Sequence, residues 1–199
     1  MAQSVDDVLI GTGDLYIGGV GTDFPANPST TPASSGSHAW THLGYSEDGW
    51  TFEIDRTFED IMVAEEIDPI DIYKTAQTIN LTGELAQATL ENLKYAMSGG
   101  TITTDSSANT KTFVPPTTAG FTEWSLLLRV QAPGGGGGDA DNRVREIQIP
   151  RAVAIGAIQM QHQKAPAKTL VTASFRLLVP SSLSGNGTDI FKVIDETAD

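Results

Sequence analysis

Apolar side chains in this chain recur at every second position far more often than at every third or fourth. Trp50, Phe52 and Ile54 alternate with Thr51, Glu53 and Asp55, and Ile79, Leu81, Gly83 and Leu85 alternate with Asn80, Thr82 and Glu84. Val171, Ala173, Phe175, Leu177 and Val179 share one face, and Val144, Glu146 and Gln148 oppose Arg145, Ile147 and Ile149. Successive side chains of a strand point to opposite sides, so this period marks strands with one face buried. Helical spacing gives way almost everywhere, which restricts the chain to a mainly β fold.

Turn chemistry punctuates these runs. Ser46-Glu47-Asp48-Gly49 reads as the turn of a hairpin between a strand over 38–45 and one beginning at Trp50. Further strands are expected over 8–20, 110–114, 121–132, 152–164 and 188–194. Thr22 to Ser37 is a Pro/Ser/Thr loop without periodicity, long enough to suggest a role in reaching a neighbour. Pro133 to Asp141 is a glycine-rich flexible loop. One segment breaks the pattern. Thr89 can cap a helix over 89–98, Glu91 sits in its first turn, and Leu90, Leu93 and Met97 mark one apolar stripe. Gly99-Gly100 ends it. The expected architecture is a β-sandwich or partly closed barrel of short antiparallel strands with one flanking helix. At 199 residues it is read as a single domain over 1–199.

Charge adds a second constraint. The net charge of -13 argues against a basic surface for nucleic acid. The charge is also uneven. The acids from Glu47 to Asp71, among them Asp55, Glu59, Asp60, Glu65, Glu66 and Asp68, face a single base, Arg56. Bases including Arg143, Arg145 and Arg151 follow in the C-terminal half, with Glu146 the only acid between Arg143 and Arg176. Two solvated faces would account for this, and so would two complementary surfaces for head-to-tail contact between copies.

Catalytic and metal chemistry finds little support. The chain has no cysteine, which removes disulfides, thiolate metal sites and Cys nucleophiles. On a strand, His38 and His42 would stand about 13 Å apart, too far to share a metal. The Gly134 to Gly138 run lacks the Lys-Ser/Thr of a phosphate-binding loop, and Gly11-Thr12-Gly13 lacks the third glycine of a dinucleotide site. Asp139-Ala140-Asp141-Asn142 lacks the later Gly and Glu of a calcium loop. No Ser sits in a G-x-S-x-G elbow, and Glu65-Glu66 are neighbours in an acidic run rather than partners across a cleft. No apolar run approaches the ~20 residues of a membrane helix. The N-terminus lacks the pattern of a signal peptide, so synthesis in the cytoplasm is expected. No enzyme activity, metal or cofactor is expected.

The order of motifs is more specific than any one of them. A short strand and Pro-rich loop lead into Trp40-Thr41-His42-Leu43-Gly44-Tyr45-Ser46-Glu47-Asp48-Gly49. An acidic excursion follows, then Ile79-Asn80-Leu81-Thr82-Gly83-Glu84-Leu85 running into Thr89-Leu90-Glu91-Asn92-Leu93. This order resembles the major tail tube proteins of long-tailed, non-contractile bacteriophages, most specifically over 40–100. The resemblance implies a β-sandwich or barrel-like core with one helix, related to the tube protein of type VI secretion. It implies stacked hexameric rings forming the virion's tail tube, assembled in the host cytoplasm, through which the genome passes without specific binding. Implied partners are further copies of the chain and the tape measure, tail terminator and tail tip proteins. It implies a long inter-strand loop, mapped to 55–71, and arms that bridge rings, mapped to 1–7 and 188–199, around a core of 8–187. With the split of acidic and basic halves, the interface residues expected are Asp55, Glu59, Asp60, Glu65, Glu66 and Asp68, some facing the lumen and others meeting Arg143, Arg145 or Arg151 of a neighbour. A head-to-tail joining or tail terminator ring protein of the same particle is the alternative.

Overall fold

The structure is a computed structural model, and it describes residues 13–28, 30–36, 39–117, 120–131, 144–160, 168–180 and 189–196. In chain order its elements are β1 (Asp14–Gly19), β2 (Thr41–His42), β3 (Ser46–Ile61), β4 (Asp71–Leu85) and α1 (Leu90–Ala96). They continue with β5 (Thr101–Asp105), β6 (Thr110–Val114), β7 (Trp124–Gln131), β8 (Val144–Ala154), β9 (Val171–Leu177) and β10 (Lys192–Asp195). The fold is mainly β with antiparallel pairing, sandwich-like and without a closed barrel.

One sheet runs β2-β1-β7-β8-β9-β4-β3, with β10 also paired to β8; β5 and β6 form a separate hairpin. The connection from β2 to β3 fixes its shape. β2 ends at His42 on one edge and β3 begins at Ser46 on the other. Four residues reach about 14 Å at most. Six strand spacings in a flat sheet would hold those edges roughly 29 Å apart. The sheet therefore curls until its edges approach, bridged by Leu43, Gly44 and Tyr45. Leu43 N donates to Leu15 O of β1 at 3.0 Å, and Ala86 N, just past β4, donates to Tyr45 O at 2.8 Å. Gly44 has φ +86°, and a Cβ there would fall 2.0 Å from Gln87 Oε1. The positive φ is what requires glycine here, since the Gln87 side chain can swing aside.

Curling encloses the core expected from the alternating runs. Ile79, Leu81 and Leu85 of β4 and Val171, Ala173, Phe175 and Leu177 of β9 are all buried, with Leu15, Ile17, Leu126, Leu128 and Ile149. Val179, expected on the same face, lies past the end of β9 and is exposed. Helix α1 closes one end. Thr89 caps it as expected, its side chain accepting from Asn92 N at 3.1 Å. The face turned inward differs from the expected stripe. Asn92 and Ala96 are buried, while Leu90, Leu93 and Met97 are half-buried. Asn92 is drawn in because its Nδ2 donates to Leu43 O and Gln87 O, each at 2.8 Å, which ties the helix to the bridge. After the helix, Ser98 Oγ donates to Ala154 O and accepts from Ala154 N at 2.8 Å, fastening α1 to β8.

Other expectations are corrected. The Ser46–Gly49 turn is not a hairpin turn. β3 runs through it, with a register break between Ser46 and Trp50, so the extra residues form a bulge and Trp50 lands opposite Gly83. The strand over 38–45 shrinks to β2, which pairs with β1 instead. The strand expected over 188–194, within the segment mapped as a C-terminal arm, is found over Lys192–Asp195, paired with β8. The Thr22–Ser37 loop turns back on its own chain. Gln148 Nε2 donates to Pro25 O at 3.3 Å, Arg129 Nη2 donates to Pro28 O, and Trp40 Nε1 donates to Asp23 O at 3.0 Å. Phe24 packs on Trp40, and Pro28 and Pro32 are buried. This strap covers the outer side of β7 and β8, leaving central β7 buried on both faces at Leu126 and Leu127.

Candidate functional site

β3 and β4 extend far beyond the core they help to build. Every residue from Glu53 to Gln77 is exposed except Val63. The strands stay paired out to Ile61 and Asp71, and Ile70 N donates to Ile61 O at 3.0 Å to close the end. The inter-strand loop expected over 55–71 is thus a projecting β-hairpin whose connecting tip is 62–70. The seven residues from Asp55 to Ile61 alone carry it about 23 Å outward. A second bulge lies between Thr57 and Phe58, where β4 carries the extra residue Thr75, whose hydroxyl reaches Thr57 O at 3.3 Å.

Register separates the two faces of the hairpin. Ile54 pairs with Ile79, Phe58 with Lys74 and Asp60 with Ile72. Phe52, Ile54, Phe58 and Ile72 therefore continue the core face outward, past the point where any core covers it, interspersed with Arg56, Gln77, Lys74 and Asp60. Ile54, Phe58 and Ile72 are 38%, 54% and 60% exposed. The other face carries Glu53, Asp55, Glu59 and Asp71 beside Tyr73. The tip adds Met62, Ile67 and Ile70 between Glu65, Glu66 and Asp68; Ile67 is 94% exposed. Exposed apolar side chains grouped on a projecting element mark a candidate interaction surface.

The expected acids thus gather on one element: Asp55, Glu59 and Asp60 on β3, and Glu65, Glu66 and Asp68 at the tip. The expected bases do not face them. Arg145 forms a two-pronged pair with Asp195 of β10 at 2.6 and 2.7 Å. Arg151 does the same with Glu123 at 2.7 and 2.5 Å and also donates to Val179 O at 2.9 Å. The bonded guanidinium holds each carboxyl, Asp195 and Glu123, below its ordinary range. Arg143 lies outside the described residues, as do His38, His162, the Gly134–Gly138 run and Asp139–Asn142.

Beneath the strap lies a buried polar cluster that the sequence reading assigned to an ordinary polar strand face. Glu146 is fully buried, with its Oε1 3.1 Å from Arg129 Nε but not aligned for a hydrogen bond. Gln148 Nε2 donates to Glu146 Oε2 at 3.1 Å. Burial pushes the Glu146 carboxyl up; the Gln148 bond and the Arg129 charge oppose that. The aromatics Phe24 and Trp40, flanking an otherwise aperiodic segment, were the one available sign that the strap packs on something. Among the described residues no group of three or more His, Asp or Glu side chains could hold a metal ion. His42 instead meets Asp14 at 3.2 Å and accepts from Gly44 N through Nδ1. No described helix is long and apolar enough to cross a membrane.

The geometry is that of a long exposed hairpin projecting from a β core. Residues 1–167 match a family model described as phage tail tube protein. The chain belongs to the phage tail tube protein family. The match takes in the strap, both long strands, α1 and β8, and ends before β9 and β10. A search of curated proteins found no match. As a member of a structural tail tube family, the chain is a structural protein of the phage tail.

Proposed function

We propose that the chain forms stacked, hexameric rings that build the tail tube, a channel for delivery of the genome into the host, and that the projecting hairpin makes the contacts between copies. The observation carrying this is the hairpin itself: exposed from Glu53 to Gln77 but for Val63, with Ile54, Phe58 and Ile72 among Arg56, Lys74 and Asp60 on one side and Glu53, Asp55, Glu59 and Asp71 on the other. A lone subunit has no use for such an element, whereas a head-to-tail assembly needs one surface that projects and a different one that receives. In this reading Asp55, Glu59, Asp60, Glu65, Glu66 and Asp68 are interface residues, and Arg143, Arg145 and Arg151 form the opposing basic set. Asp195 and Glu123 already neutralise Arg145 and Arg151, so a neighbour's acid exchanges one partner for another. Such exchanges steer and orient; the affinity comes from burying Ile54, Phe58 and Ile72. Assembly takes place in the host cytoplasm, with tape measure, tail terminator and tail tip proteins as partners. The net charge of -13 suits a tube whose contents must slide without sticking.

The test is negative-stain microscopy of the concentrated protein and of a Glu65→Lys, Glu66→Lys variant. Tubes from the former and none from the latter are expected. Normal tubes from the variant overturn the role given to these acids. Single rings that never stack point instead to a joining or terminator protein.

A further inference from the structure

The other large exposed apolar side chains on the described residues include a second group, away from the hairpin. Phe121 and Ile155 are 73% and 38% exposed. They flank a groove of about 490 Å³ at the C-terminal end of α1, walled also by Met97, Pro115, Pro116 and Ile158. One chain thus carries two uncovered apolar surfaces of opposite shape, one projecting and one recessed. We propose that the groove receives the hairpin tip of a second copy of this chain, an inference that rests on the tube-subunit reading and gives it a receiving site.

Size, charge and rigidity favour this occupant. A cavity of about 150 Å³ holds one benzene, so the groove takes roughly three groups of that size. The tip offers three: Met62, Ile67 and Ile70, exposed by 56%, 94% and 56%. Glu65, Glu66 and Asp68 surround Ile67, while Lys94 stands in the last turn of α1, three residues before Met97 and next to it on the helix. The groove is held in shape from below, since the Ser98–Ala154 hydrogen bonds lock the end of α1 onto β8 beside it. Pro115 and Pro116 have fixed φ, and the unbranched Met97 adapts to what enters. The tip does not enter its own groove, because Ile67 is 94% exposed in its own chain. Tip and groove are different surfaces, so their pairing propagates from copy to copy instead of closing on a symmetric dimer.

The absence of cysteine makes the test clean. A disulfide forms only when Cβ atoms come within about 3.5–4.5 Å. The doubly substituted Ile67→Cys, Ile158→Cys protein, assembled and mildly oxidised, is expected to give a non-reducing gel ladder extending beyond the dimer. Either single variant can reach only the dimer. Rings or tubes in the micrographs with no ladder past the dimer overturn the groove and leave the tube reading standing. No rings, tubes or filaments from the unaltered protein at any concentration overturns both. Ile67→Asp provides the second measurement. It is expected to raise the concentration needed for assembly about tenfold or more, the loss of one aliphatic anchor, with the monomer's melting temperature unchanged. An unchanged threshold overturns the proposal.

Discussion

Replacing Asn92 with Ala removes the one side chain that joins the helix to the bridge between the sheet's edges. Asn92 Nδ2 donates to Leu43 O and Gln87 O at 2.8 Å each, the first of these deeply buried. Losing a buried hydrogen bond costs about 1 kcal/mol, and a carbonyl left buried without a partner adds about as much again. Counting Leu43 O in full, Gln87 O in part, and about 0.6 kcal/mol returned by the better helix propensity of Ala, the loss is about 2–3 kcal/mol. In a chain of this size that lowers the melting temperature by about 4–12 °C. Thr89→Ala is the control. It removes one capping bond in the same helix, for about 1 kcal/mol, and leaves the bridge alone. Urea denaturation followed by circular dichroism measures both. The slope with urea should stay constant, since the same surface is exposed on unfolding. If Asn92→Ala costs no more than Thr89→Ala, the helix does not hold the bridge through Asn92.

Other expected outcomes follow from the buried and paired charges. The raised carboxyl of Glu146 binds its proton more tightly folded than unfolded, so its contribution to stability falls as pH rises above the ordinary value of 4.5. Urea midpoints of the native protein should therefore decline relative to Glu146→Gln between about pH 4.5 and the folded value; parallel curves would refute this. Asp195 runs the other way: lowered by Arg145, it stabilises above its ordinary 3.8 and loses that effect as pH falls through the folded value. Asp195→Asn should therefore flatten the acid limb, by about 1 kcal/mol or less because the pair is half exposed. Trp40→Phe keeps the ring but loses the bond to Asp23 O and should cost about 1 kcal/mol, whereas Trp40→Ala should cost about 3–5 kcal/mol. Equal losses would mean that the ring's packing adds nothing beyond the bond to Asp23 O.

Local pattern made some of this legible. Ile79, Leu81 and Leu85 are buried where period two put them, because β4 has the core on one side only there. Thr89 caps α1 because capping is decided within a few residues. The failures are non-local. Ser46–Gly49 has the composition of a hairpin turn, yet a short bridge from β2 on the far edge leaves no strand beside it to turn back to. The buried face of α1 is set by the two carbonyls Asn92 meets, not by its leucines. The acids of the candidate site are visible as a charge run, but the grouping of Ile54, Phe58 and Ile72 on one face is not. It emerges only when the pairing of Phe58 with Lys74 fixes which residues share a side.

The strap also bears on the order of events in a newly made chain. Pro25 and Pro28 leave the ribosome early, but their seats are Gln148 and Arg129, 123 and 101 residues later. Loops that long close late, after the local pairings are made. Until β7 and β8 exist the strap has nowhere to lie, and until it docks Glu146 stays in water with its carboxylate solvated. Desolvation of that one acid therefore waits on the docking of the strap. A chain stalled before it would carry β7 with its outer face bare.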